Sequence, residues 1–156
     1  MEKIKIFING FGRIGRCITR VALCEMQDKI EIVGINDLAN PEILSYLLTH
    51  DSVHQNTSIQ CGENSFIFNG VKIPFSQKKT PKEIDILGAD IVIEASGLFL
   101  TQKEVESHLQ KGARRVIFSA PAKDDTKTFV LGVNHKDYQG EKIISNASCT
   151  TNALAP

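Results

Sequence analysis

Apolar residues in this chain fall into two patterns, short runs typical of buried strands and longer stretches with helical spacing. Ile6-Phe7-Ile8 predicts a first strand, and the β-branched run from Ile30 to Ile35 predicts a second. Between them, the segment from Arg13 to Glu25 carries its apolar residues at helical spacing. A strand, a helix and a strand in close succession predict one β-α-β unit.

The same alternation continues to the end of the chain. Asn40-Pro41-Glu42 predicts the start of a helix that runs through Leu48, because Asn caps helices and Pro suits their first turn. Another amphipathic helix is predicted from Thr101 to Lys111. Further strands are predicted at Asp90 to Glu94, Val116 to Phe118, Thr128 to Val133 and Lys142 to Ser145. Strands that alternate with helices predict a mostly parallel sheet covered on both faces.

One segment interrupts this alternation. From Ser58 to Phe75 the chain offers two or three short strands, and Asn69-Gly70 between two of them is a strong hairpin signal. We therefore expect an α/β fold of the doubly wound Rossmann type, with a mostly parallel sheet and a small antiparallel insertion.

Composition narrows the function classes. The 156 residues suit one globular domain, and 18 basic against 18 acidic residues give no net charge, so neither nucleic acid nor a membrane surface is expected as a partner. No stretch approaches the roughly 18 apolar residues of a membrane span. The four cysteines lack C-x-x-C spacing and no histidines are spaced as metal ligands, so we predict no metal site and a reducing, cytoplasmic location.

The first strand leads directly into Gly10-Phe11-Gly12-Arg13-Ile14-Gly15, a G-x-G-x-x-G sequence that opens the first helix. In this context Gly10 permits a tight turn, Gly12 lets a pyrophosphate approach the backbone, and Gly15 lets helix and strand pack closely. The free amides at the helix start, including those of Arg13 and Ile14, would face the phosphates. The motif predicts a dinucleotide cofactor.

Asp37 ends the second strand, where a carboxylate can accept hydrogen bonds from the adenosine ribose hydroxyls. Its charge would repel the 2′-phosphate of NADP, so the predicted cofactor is NAD. The alternative is an aspartate that caps a turn beside Asn36.

Two further loops follow predicted parallel strands, at the sheet edge where α/β proteins bind ligands. Ser96 and Gly97 lie in the first loop and Ser119 in the second, and they are candidates for the walls of the cofactor site. Ordinary loop chemistry is the alternative for Ser96, Ser119 and Lys79.

Cys149 lies within Ser145-Asn146-Ala147-Ser148-Cys149-Thr150-Thr151-Asn152, among hydroxyl and amide side chains. The sequence predicts a loop that enters a helix, with Cys149 in its first turn, where the helix dipole favours the nucleophilic thiolate. The alternative is an ordinary small buried residue.

With these residues the chain resembles the amino-terminal, NAD-binding part of the glyceraldehyde-3-phosphate dehydrogenases, which act in glycolysis. Besides the glycine loop and the cysteine octapeptide, the resemblance rests on five other segments. They are Ile35-Asn36-Asp37, Asp51-Ser52-Val53-His54, Glu94-Ala95-Ser96-Gly97, Ser119-Ala120-Pro121-Ala122-Lys123-Asp124-Asp125 and Gly132-Val133-Asn134-His135. It implies a Rossmann domain over residues 1–148 and the start of a catalytic-domain helix over residues 149–156.

The resemblance implies that Cys149 attacks the substrate aldehyde and that inorganic phosphate cleaves the resulting thioester. Ser148 and Thr150 would contact a phosphate in the substrate region. Arg13, Ile14 and Asp37 would contact the dinucleotide, and Ser119 its adenine or nicotinamide surroundings. Lys79 stands where the family often has an arginine near the adenine, although lysine lacks the planar group that stacks on a base.

Two departures from the family pattern matter. Ala153 stands where many members have a second cysteine, and the general-base histidine of the family is expected in the region after Pro156. We therefore expect little or no turnover from this chain by itself, whereas a full-length protein would be a homotetramer that uses glyceraldehyde 3-phosphate and phosphate. The alternatives are an erythrose-4-phosphate dehydrogenase and a module that only binds a nucleotide or a partner.

Overall fold

A computed structural model describes residues 2–54 and 59–156 of the chain. Eight strands and four α-helices make up the fold within these ranges. The strands are β1 Ile4–Asn9, β2 Ile30–Asn36, β3 Gln60–Gly62, β4 Ser65–Phe68, β5 Val71–Ser76, β6 Ile91–Glu94, β7 Arg115–Phe118 and β8 Ile143–Ser145. The helices are α1 Arg13–Cys24, α2 Pro41–Thr49, α3 Gln102–Gln110 and α4 Cys149–Leu154, and a short 3-10 helix covers His135–Asp137.

All strands join one sheet in the order β3-β4-β5-β2-β1-β6-β7-β8. The strands from β5 to β8 in this order run parallel, whereas β4 is antiparallel to both of its neighbours. The predicted α/β fold with a mostly parallel sheet and a small antiparallel part is confirmed. After β1 the chain first builds outward through β2 and later returns to the other side of β1 with β6. This reversal places a ligand-binding crevice at the carboxyl ends of β1 and β6.

The sheet has an apolar core on each face, because successive side chains of a strand point to opposite sides. Ile6 and Ile8 of β1 pack in a core with residues of α1 and α2. Phe7 lies between them in sequence but belongs to the opposite core, with Val105 of α3. This double burial explains why the parallel strands are continuous apolar runs rather than alternating ones.

Most predicted elements are present within a residue or two of their predicted ends. The Asn69-Gly70 hairpin is confirmed, with both residues at positive φ, as the two central positions of a type I′ turn require. Asn40 caps α2, since its Oδ1 accepts a hydrogen bond from the Glu42 amide at 2.7 Å. Ser58, where the predicted insertion begins, lies outside the described residues.

The strand predicted from Thr128 to Val133 is wrong. Only Thr128 pairs, in a single parallel bridge to Ser145. The chain then bends because the Asn134 side chain accepts from the Val130 amide at 2.8 Å and donates to the Thr128 carbonyl at 2.9 Å. Gly132 takes a φ of +88° in this turn. The apolar run therefore belongs to a compact loop, whose Leu131 and Val133 side chains are exposed.

Candidate functional site

The loop after β1 is pressed against the loop after β6, and glycine makes this possible at two positions. Gly10 has a φ of +98°, and a Cβ there would lie 2.4 Å from the Ser96 amide nitrogen. A Cβ on Gly15 would lie 2.1 Å from the Gly10 carbonyl oxygen. Because these neighbours are backbone atoms, a side chain at Gly10 would force the two loops apart, and one at Gly15 would push α1 away from the glycine loop.

Gly12 is different, because a Cβ there would meet no protein atom within 4 Å. It is the N-cap residue of α1, and no side chain caps this end of the helix. The adjoining residues Arg13 and Ile14 are exposed. An open surface above an uncapped helix start suits a phosphate group, because the first amides of a helix lack partners within it. The glycine loop therefore fits the predicted pyrophosphate.

On one side of this loop lies a cavity of about 240 Å³, here called the Asp37 cavity. Five residues singled out in the sequence line it, namely Gly10, Gly12, Asp37, Lys79 and Ser96. Leu98 and Phe99, from the loop after β6, add an apolar wall. A polar edge and an apolar wall together suit a ribose joined to a flat base.

Asp37 connects the two halves of the β-α-β unit. Its Oδ2 accepts from the Phe11 amide at 2.6 Å, and its Oδ1 accepts from the Ala39 amide at 2.8 Å. The second contact is the turn-capping arrangement considered as an alternative from the sequence. A carboxylate has about four acceptor positions, so these two bonds leave capacity for ribose hydroxyls. Both roles are compatible with this geometry.

Beneath the Asp37 cavity, a buried chain of polar side chains crosses the ends of neighbouring strands. Asn36 Nδ2 donates to Asn9 Oδ1 at 2.9 Å, and Asn9 Nδ2 donates to Glu94 Oε2 at 2.6 Å. Glu94 Oε1 accepts from both the amide and the hydroxyl of Ser96. Sequence reasoning missed this network, although its signal was a polar residue at the end of three adjacent parallel strands.

Glu94 is completely buried, and no cation pairs with it in the described part of the chain. Burial raises the pKa of its carboxyl group, because the charged form loses its hydration. The hydrogen bonds from Ser96 and Asn9 act in the opposite direction. The site thus contains an acidic group whose charge is supported only by neutral donors.

On the other side of the glycine loop, a larger cavity of about 700 Å³ contains Cys149, and we call it the Cys149 cavity. Ile93, Ile117 and Ile144 from three adjacent strands form its floor. Ile14, Ser119 and Ser148 also line it. The two cavities therefore lie on the two sides of the glycine loop, which is the arrangement that the two halves of a dinucleotide require.

Cys149 is exposed at the first position of α4, so the alternative of a buried small residue is wrong. Ser148 caps the helix, since its Oγ accepts from the Thr151 amide at 3.0 Å. The same oxygen lies 2.9 Å from the Thr150 hydroxyl. Cys149 thus stands beside a cluster of hydroxyl groups in a preformed turn.

Comparison with known proteins identifies the fold's relatives. Residues 4–102 match the family described as "Glyceraldehyde 3-phosphate dehydrogenase, NAD binding domain". The chain belongs to the glyceraldehyde 3-phosphate dehydrogenase family. The matched domain binds NAD, which agrees with the cofactor predicted from the glycine loop.

Relatives support this assignment along almost the whole chain. The cytosolic glyceraldehyde-3-phosphate dehydrogenase of Leishmania mexicana is 47% identical over 157 aligned residues, which cover 98% of this chain and 47% of the relative. The Bacteroides fragilis enzyme is 48% identical and glyceraldehyde-3-phosphate dehydrogenase A of Escherichia coli 44%, with the same coverage. The chain thus spans about half the length of the curated relatives that it matches.

Several predicted residues of this dehydrogenase domain lie near the two cavities without lining them. Arg13 is exposed at the start of α1, and Gly15 is buried under the glycine loop. Gly97 follows Ser96 at a φ of +73°, and Thr150 neighbours Ser148. Ser119 is an exception, because it lines the Cys149 cavity and not the Asp37 cavity.

Within residues 2–54 and 59–156, no group of three His, Cys, Asp or Glu side chains could hold a metal ion. No histidine of that part lines the Cys149 cavity. Among the described helices, none has both the length and the apolar character needed to cross a membrane.

Proposed function

We propose that this chain is the NAD-binding part of a phosphorylating glyceraldehyde-3-phosphate dehydrogenase, and that Cys149 is its nucleophile. The observation that carries the proposal is the position of Cys149 in a cavity that adjoins the glycine loop. A thiol there lies within the volume that the second half of a dinucleotide would enter.

The dinucleotide lies across the glycine loop in this proposal. Asp37, Lys79, Ser96 and Gly97 bind its adenosine half, and the amides of Arg13 and Ile14 bind the pyrophosphate above Gly12. Ser119 borders the nicotinamide half in the Cys149 cavity. Two observations support this orientation: the ribose-sized Asp37 cavity, and the apolar floor that shields the reacting ring from water.

The Cys149 thiolate adds to the carbonyl carbon of the aldehyde, and the carbonyl oxygen takes a proton from water to give a thiohemiacetal. Bound NAD would supply the hydride acceptor, and the adduct would lose this hydride from carbon and its hydroxyl proton to water, which leaves a thioester. Phosphate then attacks the acyl carbon, the carbon–sulfur bond breaks, and an acyl phosphate leaves while the thiolate is restored. A thiolate suits both steps because it is a strong nucleophile and a good leaving group. Ser148 and Thr150 hydroxyls donate to phosphate oxygens.

Turnover by the chain alone is expected to be slow. The absence of a histidine from the described lining of the Cys149 cavity supports this, since general acid-base help contributes about 100- to 10,000-fold. We assign residues 1–148 to the cofactor domain and residues 149–156 to the first helix of a catalytic domain. For the whole protein we propose a cytoplasmic homotetramer without nucleic acid or membrane partners, in line with relatives that are named cytosolic.

Calorimetric titration of the chain with NAD and with NADP tests the proposal. We expect saturable one-to-one binding of NAD and much weaker binding of NADP, because the Asp37 carboxylate repels a 2′-phosphate. Loss of this preference in Asp37→Ala would support the assigned role. No NAD binding would contradict the proposed cofactor site.

Assays of the same chain with glyceraldehyde 3-phosphate and with erythrose 4-phosphate distinguish the alternatives for the reaction. Slow oxidation of glyceraldehyde 3-phosphate in preference to erythrose 4-phosphate would support the proposed substrate. The reverse preference would favour an erythrose-4-phosphate dehydrogenase. NAD binding without covalent trapping of either aldehyde on Cys149 would favour a module that only binds nucleotides.

A further inference from the structure

Lys111, the residue after α3, has an unusual environment for a lysine. Its Nζ donates to three backbone carbonyl oxygens, those of Pro81 at 3.1 Å, Lys82 at 2.7 Å and Ile84 at 2.5 Å. An ammonium group has three N–H donors, so this set satisfies all of them. The group therefore holds the 81–84 segment to the end of α3.

The segment held by Lys111 is a compact turn. The amide and hydroxyl of Thr80 donate to Glu83 Oε2 at 3.0 and 2.9 Å, and the Glu83 amide donates to the Thr80 carbonyl at 3.0 Å. These bonds make the turn a rigid unit, so a tether at its carbonyls fixes the position of the whole turn.

On the other side of Lys79, the chain is fixed by a second tether. The Lys78 amide donates to Asn36 Oδ1 at 2.7 Å, and Asn36 Nδ2 donates back to the Lys78 carbonyl at 3.0 Å. Lys79 thus lies between a residue held by β2 and a turn held by Lys111. Both Lys78 and Lys79 line the Asp37 cavity.

The amino end of α3 is connected to the same cavity. The loop that leads into α3 supplies Ser96, Leu98 and Phe99 to the lining of this cavity. The loop that contributes these residues thus continues into α3. Lys111, at the end of α3, holds the turn that follows Lys79. Ile84 is also buried in the core that contains Val105 of α3, so loss of the Lys111 contacts would free the carbonyls of the turn while this apolar anchor remains.

We propose that Lys111 is a positioning residue for the adenosine end of the dinucleotide site, because its ammonium group holds the turn beside Lys79. The inference rests on the proposed function of the Asp37 cavity. Lys111 itself does not line the cavity. Its effect is predicted to be confined to ligands that carry an adenosine group.

The test compares Lys111→Met, Lys111→Arg and the matched control Lys103→Met, which removes an exposed lysine from the same helix. The probes are AMP for the Asp37 cavity and nicotinamide mononucleotide for the Cys149 cavity, each titrated by NMR into the 156-residue chain. We expect Lys111→Met to weaken AMP binding about five- to tenfold, the effect of losing one ordinary hydrogen bond between the displaced wall and the ligand. Nicotinamide mononucleotide affinity should change less than twofold.

Arginine retains the charge and the donors, so Lys111→Arg should recover most of the AMP affinity, and Lys103→Met should resemble the unaltered chain. Hydrogen exchange provides a second measurement that needs no ligand. The Glu83 amide should exchange faster in Lys111→Met, while amides of β1 keep their protection. A general loss of protection would instead reveal an unfolded variant, and Lys111→Gln, which keeps donors at reduced reach, would then be measured in its place.

The outcomes separate this inference from the proposed function. If the unaltered chain binds AMP and Lys111→Met binds it equally well, the inference is overturned and the proposed function is not. Equal weakening of AMP and nicotinamide mononucleotide would overturn it too, because it would show a general structural role. Failure of the unaltered chain to bind AMP would contradict the proposed function and the inference together.

Discussion

Asn9 and Glu94, at the carboxyl ends of adjacent parallel strands, share a buried hydrogen bond of 2.6 Å in which the amide donates to the carboxylate. A backbone amide at the other end of the chain of hydrogen bonds determines the direction of this bond. The Lys78 amide can only donate, so it sets Asn36 Oδ1 as its acceptor and turns Asn36 Nδ2 toward Asn9 Oδ1. Asn9 is then left with its own Nδ2 facing Glu94. The chain of amides thus ends on a group that must accept.

We therefore expect Glu94→Gln to destabilise the protein by about 1 to 3 kcal/mol, because the new amide would place a donor against the donors of Asn9 or Ser96. Urea denaturation measures the change in the free energy of unfolding. NAD affinity should fall as well, since Ser96 lines the Asp37 cavity. Glu106→Gln, on the exposed side of α3, is the control and should stay within about 0.5 kcal/mol. Equal stability of both variants would contradict the fixed direction of the chain.

The glycine loop allows a matched pair of substitutions that separate folding from binding. Gly15→Ala places a methyl group 2.1 Å from the Gly10 carbonyl oxygen, whereas the same group on Gly12 meets no protein atom within 4 Å. We expect Gly15→Ala to lower the free energy of unfolding by more than about 2 kcal/mol. Gly12→Ala should change it by about 1 kcal/mol or less, the difference between these residues at an N-cap.

For NAD binding, the prediction for Gly12→Ala is a loss of affinity in a folded protein, because the methyl group would stand where the pyrophosphate approaches. Calorimetric titration beside urea denaturation shows both effects. Unchanged NAD affinity in Gly12→Ala would mean that the pyrophosphate does not cross the loop at this position.

Protonation of the buried His108 is expected to destabilise the protein in mild acid. It is fully buried on α3, neither ring nitrogen has a hydrogen-bond partner among the described residues, and burial together with nearby Lys111 lowers its pKa to about 4. The unfolded chain, with an ordinary histidine pKa of about 6.5, binds more protons between these two values. Stability therefore falls as the pH is lowered from about 6.5 to 4, by about 3 kcal/mol in total.

Denaturation curves at several pH values, taken for the unaltered chain and for His108→Gln, isolate this effect. The difference between the two free energies of unfolding should depend on pH within that window and be constant above about pH 7. The curve of one protein is subtracted from that of the other because Glu94, whose pKa is raised, stabilises the fold as the pH falls through its titration range. This change is present in both proteins and cancels in the difference. A difference that is constant from pH 4 to 7 would show that His108 protonates without penalty.

The sequence predicts much of the fold because both faces of this sheet are buried, which produces continuous apolar strands between helices of regular spacing. The convergence of Gly10, Asp37 and Ser96 follows from the same pattern, since parallel strands bring their carboxyl ends to one edge. The error from Thr128 to Val133 has a local cause. The Asn134 side chain replaces the strand's backbone partners, and hydrophobic patterning does not report such a substitution.

The contacts that sequence reasoning missed depend on tertiary geometry. Asn9, Asn36 and Glu94 look like ordinary strand ends until the strand order β2-β1-β6 places them side by side. Lys111 resembles any exposed lysine near a helix end. Its three carbonyl partners come from a turn far away in sequence, whose path no periodicity predicts.

Cys149 provides a prediction about chemical reactivity within one molecule. Cys24 and Cys61 are exposed as well, so the chain contains its own reference thiols. We expect iodoacetamide to label Cys149 at a readily measured rate, because its side chain is exposed, and the rates of Cys24 and Cys61 provide the comparison. Peptide mass spectrometry after short exposures gives the three rates.

Saturating NAD should then slow the labelling of Cys149 and leave Cys24 and Cys61 unchanged, since only Cys149 shares a cavity with Ile14 and Ser119 beside the glycine loop. AMP should give no such protection, because it occupies only the Asp37 cavity. Protection by AMP as strong as that by NAD would mean that ligand binding closes the Cys149 cavity from a distance. Labelling of Cys149 that saturating NAD leaves unchanged would place the nicotinamide half outside this cavity and would contradict the assignment of Cys149 as the nucleophile.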